Sequence, residues 1–250
     1  MDKIVWISKE VFYWNISPVC RSYIDYDLYI RAYEILEHSQ NLIMHPKSSF
    51  DLADGITNLK RSVDQRLRLI EKIYNLKRID FPNRPKGYLE LLESYGIVRP
   101  YILKNLLTIR NNIEHHDAVP PTEERCQELV DVVWYFLKST DQIVQMAKDD
   151  IEFSLIGEKG ETTHYSFTIN LNRNDYNQSE IWGWFPTELI NNHEIRNFVK
   201  INVKDIHGKE KLKEEGRHIE KKDTVIWIRG KPIFEGDDLR LIMREILLAY

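Results

Sequence analysis

The residues best suited to chemistry lie in the stretch 106–117, where Arg110 and Asn111 are followed by His115. A guanidinium is always charged and an imidazole titrates near neutral pH, so this pair suits phosphodiester chemistry without a metal ion. The apolar residues before Arg110 recur at helical spacing. Pro120 and Pro121 follow soon afterwards, and the predicted helix must therefore end just past the histidine.

The arrangement Arg110-Asn111-x-x-x-His115 resembles the motif of the HEPN superfamily, a group of helical nucleases and nucleotide-binding domains. In that motif an arginine, commonly followed directly by a polar residue, comes a few residues before a histidine. The motif here lies at a helix end, between a long helix and a long amphipathic helix. The resemblance covers roughly residues 20–148 and implies nothing about the rest of the chain.

The resemblance implies a homodimer in which both motifs line one cleft and RNA supplies the nucleophile, its 2′-hydroxyl. His115 would act as acid and base, Arg110 would hold the phosphate oxygens, and Asn111 would orient His115 or the scissile phosphate. The product would carry a 2′,3′-cyclic phosphate, with no metal and no cofactor required. One branch of the superfamily has a modified tyrosine two positions after the histidine. Asp117 stands there in this chain, which argues against that route of regulation.

Helical geometry leaves several alternatives open at this motif. Positions five apart lie about 140° around a helix, so Arg110 and His115 converge only if the helix breaks or another chain completes the site. The spacing of four instead stacks Arg110 on Glu114, which could be a partner in the site or a spectator in an ordinary surface ion pair. His116 competes with His115 for the catalytic role, and His115 is preferred on spacing.

The long second helix carries a basic stripe that is a candidate RNA-binding surface. Arg61, Arg68 and Lys72 fall on one side of it by spacing, and a row of cations can follow a nucleic-acid backbone. The alternative is a solvated helix face, because Asp64 and Glu71 dilute the positive charge.

Other candidate sites are weaker. The histidines are scattered, and no Cys, His, Asp or Glu spacing predicts a metal site. The chain also lacks a glycine-rich phosphate loop. Trp182 and Trp184 could stack on a base, but buried packing is the favoured interpretation. The charged run 209–222 is predicted to be a hairpin or loop that could contact a partner.

Composition narrows the class of protein. A net charge of -4 argues against a generally basic nucleic-acid coat but leaves room for a local basic groove. Cys20 and Cys126 lie far apart, which favours a reducing cytoplasm. No apolar run approaches the roughly 20 residues that span a bilayer, so no membrane association is expected. The first residues lack a signal-peptide core.

The periodicity of apolar residues predicts a multi-domain fold of the α + (α+β) type. Residues 1–148 are predicted to form an antiparallel, HEPN-like bundle with helices over about 21–43, 49–76 and 87–94, one from about 100 and one from about 122. Residues 150–250 alternate with period two and predict a small antiparallel sheet with a final helix after Gly236-Asp237, an accessory or regulatory domain. The boundary is expected near Asp149-Asp150.

The resemblance implies a metal-independent endoribonuclease that cleaves single-stranded RNA, a tRNA being one possibility, and by superfamily analogy a role in toxin–antitoxin or antiviral defence. An inhibitory or activating protein partner is expected beside the RNA substrate. The alternatives are a non-catalytic HEPN-like module that binds a nucleotide or a protein, and a purely structural dimerisation protein.

Overall fold

The computed structural model of the chain describes residues 3–116, 118–157, 159–211 and 224–249. Within these residues the fold is mixed α/β, with six α-helices and one eight-stranded antiparallel sheet. The chain divides into two compact units, a helical one of residues 23–77 and 84–147 and a sheet unit of residues 1–22, 78–83 and 148–250. Among the described residues, none of the helices is both long and apolar enough to cross a lipid bilayer.

The helical unit contains five helices close to the predicted positions. They are α1 (Tyr26–Met44), α2 (Ser49–Tyr74), α3 (Tyr88–Ser94), α4 (Tyr101–His116) and α5 (Glu123–Gln145). Capping side chains set several of the starts. Asp25 accepts a hydrogen bond from the backbone N–H of Asp27, and Ser48 and Asp51 form a capping box. The end of α2 is marked by Asn75, which adopts a left-handed conformation.

The core of the helical unit is formed by the apolar faces of α1, α2, α4 and α5. The predicted core positions Ile56, Leu59 and Val63 of α2 are almost fully buried, which confirms the period of that helix. Helices α1 and α2 approach each other closely, because a Cβ at Gly55 would lie only 2.6 Å from Cγ1 of Ile43. A hydrogen bond of 2.6 Å from Oγ of Ser39 to the carbonyl oxygen of Gly55 also joins these two helices.

The sheet unit has the strand order β2-β3-β4-β5-β8-β7-β1-β6. The strands are β1 (Lys3–Ser8), β2 (Asn15–Tyr23), β3 (Met146–Ile156), β4 (Thr162–Asn170), β5 (Glu180–Pro186), β6 (Ile190–Asn191), β7 (Phe198–His207) and β8 (Val225–Ile233), followed by α6 (Asp238–Leu248). The predicted strands at 151–155 and 199–203 are confirmed within these bounds, and those at 165–171 and 224–228 are confirmed to within one residue. The sheet is larger than expected because N-terminal strands join it.

The prediction that residues 1–148 form one helical domain is wrong at its N-terminal end. Residues 1–22 belong to the sheet unit, and so do residues 78–83. Val5 and Ile7 of β1 face the core and pair with Ile201 and Val199 of β7. The stabilisation from burying Val5 and Ile7 against a strand almost two hundred residues later outweighs the unfavourable effect of the charged residues around them. The last boundary between the two units, between residues 147 and 148, lies close to the predicted boundary near Asp149-Asp150.

Stacked aromatic rings fill the sheet core. Phe153 and Phe167 are stacked with ring centroids 4.8 Å apart, and Phe185 stacks on Phe167 at 5.0 Å. The strand β5 passes Phe167 so closely that a Cβ at Gly183 would lie 2.3 Å from its Cα, and the φ of Gly183 is +156°. Only glycine fits there without displacing a strand. Most of the predicted loop 209–222 lies outside the described residues.

Candidate functional site

Helix α4 positions the Arg–His motif at its C-terminal end. Leu103 and Leu106 are buried in the core of the helical unit, and Ile109 and Ile113 pack against that core one and two turns later. These four residues fix which side of α4 faces inward. His115 therefore lies on the exposed side, where solvent and a ligand can reach it, as sequence analysis requires of a catalytic imidazole.

The Arg110 side chain is held by two neighbours on the same helix. Its Nη2 forms an ion pair with Oε2 of Glu114, and its Nη1 donates a hydrogen bond of 3.1 Å to Oδ1 of Asn111. The side chain of Arg110 is 22% exposed and that of Glu114 is 26% exposed, so the pair lies at the surface without being fully solvated. The Nε of Arg110 is buried and has no hydrogen-bond partner among the described residues.

A second helix also holds Glu114. The Oγ1 of Thr57, in α2, donates a hydrogen bond of 3.3 Å to Oε1 of Glu114. The two carboxylate oxygens of Glu114 thus bind different partners, one on α4 and one on α2. The ion pair of Glu114 with Arg110 is therefore present, and a role of Glu114 in the site stays a prediction.

The side chains of Arg110 and His115 do not converge within one chain. Helix α4 runs unbroken through His116, so Arg110 and His115 remain about 140° apart around the helix. The Asn111 amide oxygen contacts Arg110, and this contact anchors Asn111 on the arginine side of the motif. His115 and His116 are both exposed, and the preference for His115 stays a prediction.

The three residues of the predicted basic stripe are all exposed, but they do not share one surface feature. Arg68 and Lys72 line a surface groove of about 480 Å³. The other residues that line it are Asp64, Leu67, Glu71, Asn75, Lys77 and Tyr88. Arg61 is outside the groove and donates a hydrogen bond of 2.9 Å to Asn58. The groove combines three cations with two carboxylates, so it is a mixed rather than a purely basic surface.

A buried charged cluster around Arg66 was not predicted from the sequence. Arg66 is 0% exposed, and its Nη1 contacts Oδ1 of Asp141 at 2.9 Å and Oγ1 of Thr140 at 3.1 Å. Its guanidinium also lies over the rings of Tyr29 and Tyr33, at 5.4 and 5.6 Å from their centroids. Arg66 lies at core spacing on α2, three residues after Val63, which was the one signal in the sequence.

The same cluster perturbs a tyrosine. Burial raises the pKa of Tyr33, and so does the hydrogen bond of 2.7 Å that its hydroxyl donates to Oδ2 of Asp141. The raised pKa extends the pH range over which the hydroxyl of Tyr33 stays protonated and donates to the carboxylate. The cluster joins α1, α2 and α5 through side chains.

Two further predictions concern ligands. Within the described part of the chain, no group of His, Cys, Asp and Glu side chains is arranged to hold a metal ion. Trp184 is only 3% exposed and packs in a small cluster with Val225, as the favoured interpretation of that tryptophan expected.

The exposed end of α4 therefore defines a surface site with an arginine, an amide and a histidine on an all-helical unit. No known protein family, no curated protein and no solved structure matches the chain.

Proposed function

We propose that the chain is a metal-independent endoribonuclease of the HEPN type that cleaves single-stranded RNA. The observation that carries this proposal is the placement of Arg110 and the exposed His115 at the end of a helix in a five-helix unit. The resemblance of the motif to the HEPN superfamily adds the reaction class. A guanidinium for the phosphate and an imidazole for proton transfer are the groups this reaction needs.

In the proposed reaction the 2′-oxygen of a ribose attacks the adjacent phosphorus. His115 accepts the proton of the 2′-hydroxyl, and the bond from phosphorus to the 5′-oxygen breaks. The imidazolium formed on His115 then gives its proton to the departing 5′-oxygen. The products are a 2′,3′-cyclic phosphate and a free 5′-hydroxyl. Arg110 binds the non-bridging oxygens, where negative charge grows in the transition state.

A homodimer is part of the proposal because one unbroken helix holds Arg110 and His115 on different sides. A second copy, related by a two-fold axis, would bring its Arg110 to the phosphate that His115 of the first copy reaches, and the reverse pair would form a second centre in the same cleft. The groove that contains Arg68 and Lys72 would guide the RNA strand, and Arg61 would extend that contact. The sheet unit would position the substrate or receive an inhibitory or activating protein. By superfamily analogy we propose a role in toxin–antitoxin or antiviral defence in the cytoplasm, with tRNA among the candidate substrates.

The direct test is cleavage of single-stranded RNA by purified protein in excess EDTA, with the ends analysed for cyclic phosphate. We expect Arg110→Ala and His115→Ala each to abolish cleavage, and circular dichroism to show that both variants remain folded. A matched control is His38→Ala, which removes an exposed imidazole from α1. Unchanged cleavage by both motif variants would reject the site.

A second candidate function is a non-catalytic module that binds a nucleotide or a protein. The observation in its favour is that Glu114 and Asn111 already engage the Arg110 guanidinium. Failure to cleave any RNA, together with saturable binding of a mononucleotide that Arg110→Ala abolishes, would favour this module over the nuclease.

A further inference from the structure

Glu114 occupies the position on Arg110 that a substrate phosphate needs. Its carboxylate binds Nη2 of Arg110, and a carboxylate and a phosphate present the same kind of oxygen pair to a guanidinium. Asn111 takes Nη1 on the other side. Both terminal nitrogens of the guanidinium that would bind a phosphate are therefore engaged from within the chain.

The hydrogen bond from Thr57 in α2 gives the Glu114 carboxylate a second partner. Thr57 donates its hydroxyl to Oε1, while Arg110 binds Oε2, so the carboxylate bridges the two helices. When a phosphate takes Arg110, the hydrogen bond from Thr57 can keep Glu114 in position. The change needed is then a small movement of one guanidinium and requires no rearrangement of α4.

We propose that Glu114 acts as a resident substitute for the substrate phosphate, positioning Arg110 in the empty site and competing with RNA for it. This inference rests on the proposed function, since it assigns Arg110 to phosphate binding. Glu114 is a positioning residue that sets how tightly RNA is bound, because each binding event must exchange one anion for another on the same guanidinium.

The expected effect follows from the exposure of the pair. Both side chains are about a quarter exposed, and pairs of this kind change an equilibrium only a few-fold. Replacing Glu114 with glutamine keeps the shape and the hydrogen bond from Thr57 but removes the competing charge. We therefore expect Glu114→Gln to bind RNA about two- to fivefold more tightly than the wild type, and its KM to fall by a similar factor.

The experiment measures binding of a fluorescent, fully 2′-O-methylated RNA oligonucleotide by anisotropy. This probe has no free 2′-hydroxyl, so binding is measured without cleavage. The proteins are the wild type, Glu114→Gln, Arg110→Ala and the double variant. The charge control is Asp54→Asn, which removes an exposed carboxylate from α2 one turn before Thr57. The proposal expects tighter binding by Glu114→Gln, no tightening when Arg110 is already alanine, and a smaller effect of Asp54→Asn.

Three results would overturn the proposal. The first is unchanged or weaker RNA binding by Glu114→Gln, and this includes no measurable binding by any of the proteins. The second is an equal gain in affinity when Glu114→Gln is introduced in the Arg110→Ala background. The third is a gain in affinity from Asp54→Asn that equals the gain from Glu114→Gln. Cleavage of unmodified RNA by the wild type, measured in parallel, tests the nuclease separately. Cleavage without the binding effect rejects the role of Glu114 alone. The binding effect without cleavage rejects the nuclease and leaves Glu114 as the competitor for an anion on Arg110.

Discussion

Mixing two inactive variants tests whether each active centre takes Arg110 and His115 from different copies. The variants are Arg110→Ala and His115→Ala, each expected to be inactive as a homodimer. In a mixed dimer, one composite centre combines the intact arginine of one copy with the intact histidine of the other, and the second centre lacks both. We therefore expect mixed dimers to recover activity.

The expected fraction of wild-type activity follows from the geometry of α4 and from the number of intact centres in the mixture. The two Cα atoms are separated by about 7.5 Å along an unbroken helix and by about 140° around it, so one copy presents the two side chains in different directions. If the centres are composite, half of the dimers in an equal random mixture are mixed, and each has one active centre of two. The mixture should then show about a quarter of the wild-type rate.

The assay uses co-expressed copies with two different affinity tags, purified over both tags so that only mixed dimers remain. Purified mixed dimers should cleave RNA at about half the rate of doubly tagged wild type, because one centre of two is intact. No activity in mixed dimers, beside an active wild-type control, would show that arginine and histidine act within one copy. A protein that is active as a monomer would refute the reasoning as well.

Three other predictions concern stability. Asp141→Asn leaves the fully buried Arg66 with a neutral partner. We expect this variant to lower the free energy of unfolding, measured in urea, by about 3 kcal/mol, and a loss under about 1 kcal/mol would contradict the prediction. The hydrogen bond from Lys204 lowers the pKa of Glu180, so its stabilisation is present above the ordinary pKa and is lost as the pH falls through the lowered one. Glu180→Gln should therefore lower the melting temperature at about pH 7 but have little effect at about pH 3, and equal losses would contradict this. Gly183→Ala puts a Cβ 2.3 Å from a neighbouring strand and should cost more than about 1 kcal/mol in the same urea assay, a smaller loss being the contrary result.

The helices were predictable because their stabilising pattern is local. The core positions of α2 recur every three or four residues, and Ser48 and Asp51 mark its start within one turn. The strand β1 was missed because its partner is remote. Val5 pairs with Ile201, and the alternation in six residues is too short to distinguish a strand from other structures.

At the candidate site too, local contacts were predictable from the sequence and contacts between distant residues were not. The ion pair of Arg110 with Glu114 follows from a spacing of four on one helix, so it was among the alternatives that the sequence alone offered. The hydrogen bond from Thr57 depends on how α2 packs against α4, which no local pattern contains. The burial of Arg66 was missed for the same reason as the bond from Thr57, because its partner Asp141 lies on another helix.

The location of Glu114 explains why the pair with Arg110 is formed at all. Glu114 lies in the last turn of α4, where the helix dipole is negative and disfavours a carboxylate. Because of this repulsion, a Glu114 carboxylate without partners is less stable here than at an ordinary surface position. Its contacts with Arg110 and Thr57 offset the repulsion. A phosphate that takes Arg110 must leave Glu114 at the negative helix end with one hydrogen bond. The exchange therefore favours ligands that bring more than one contact, such as an RNA strand that also reaches the groove at Arg68, over a free phosphate ion.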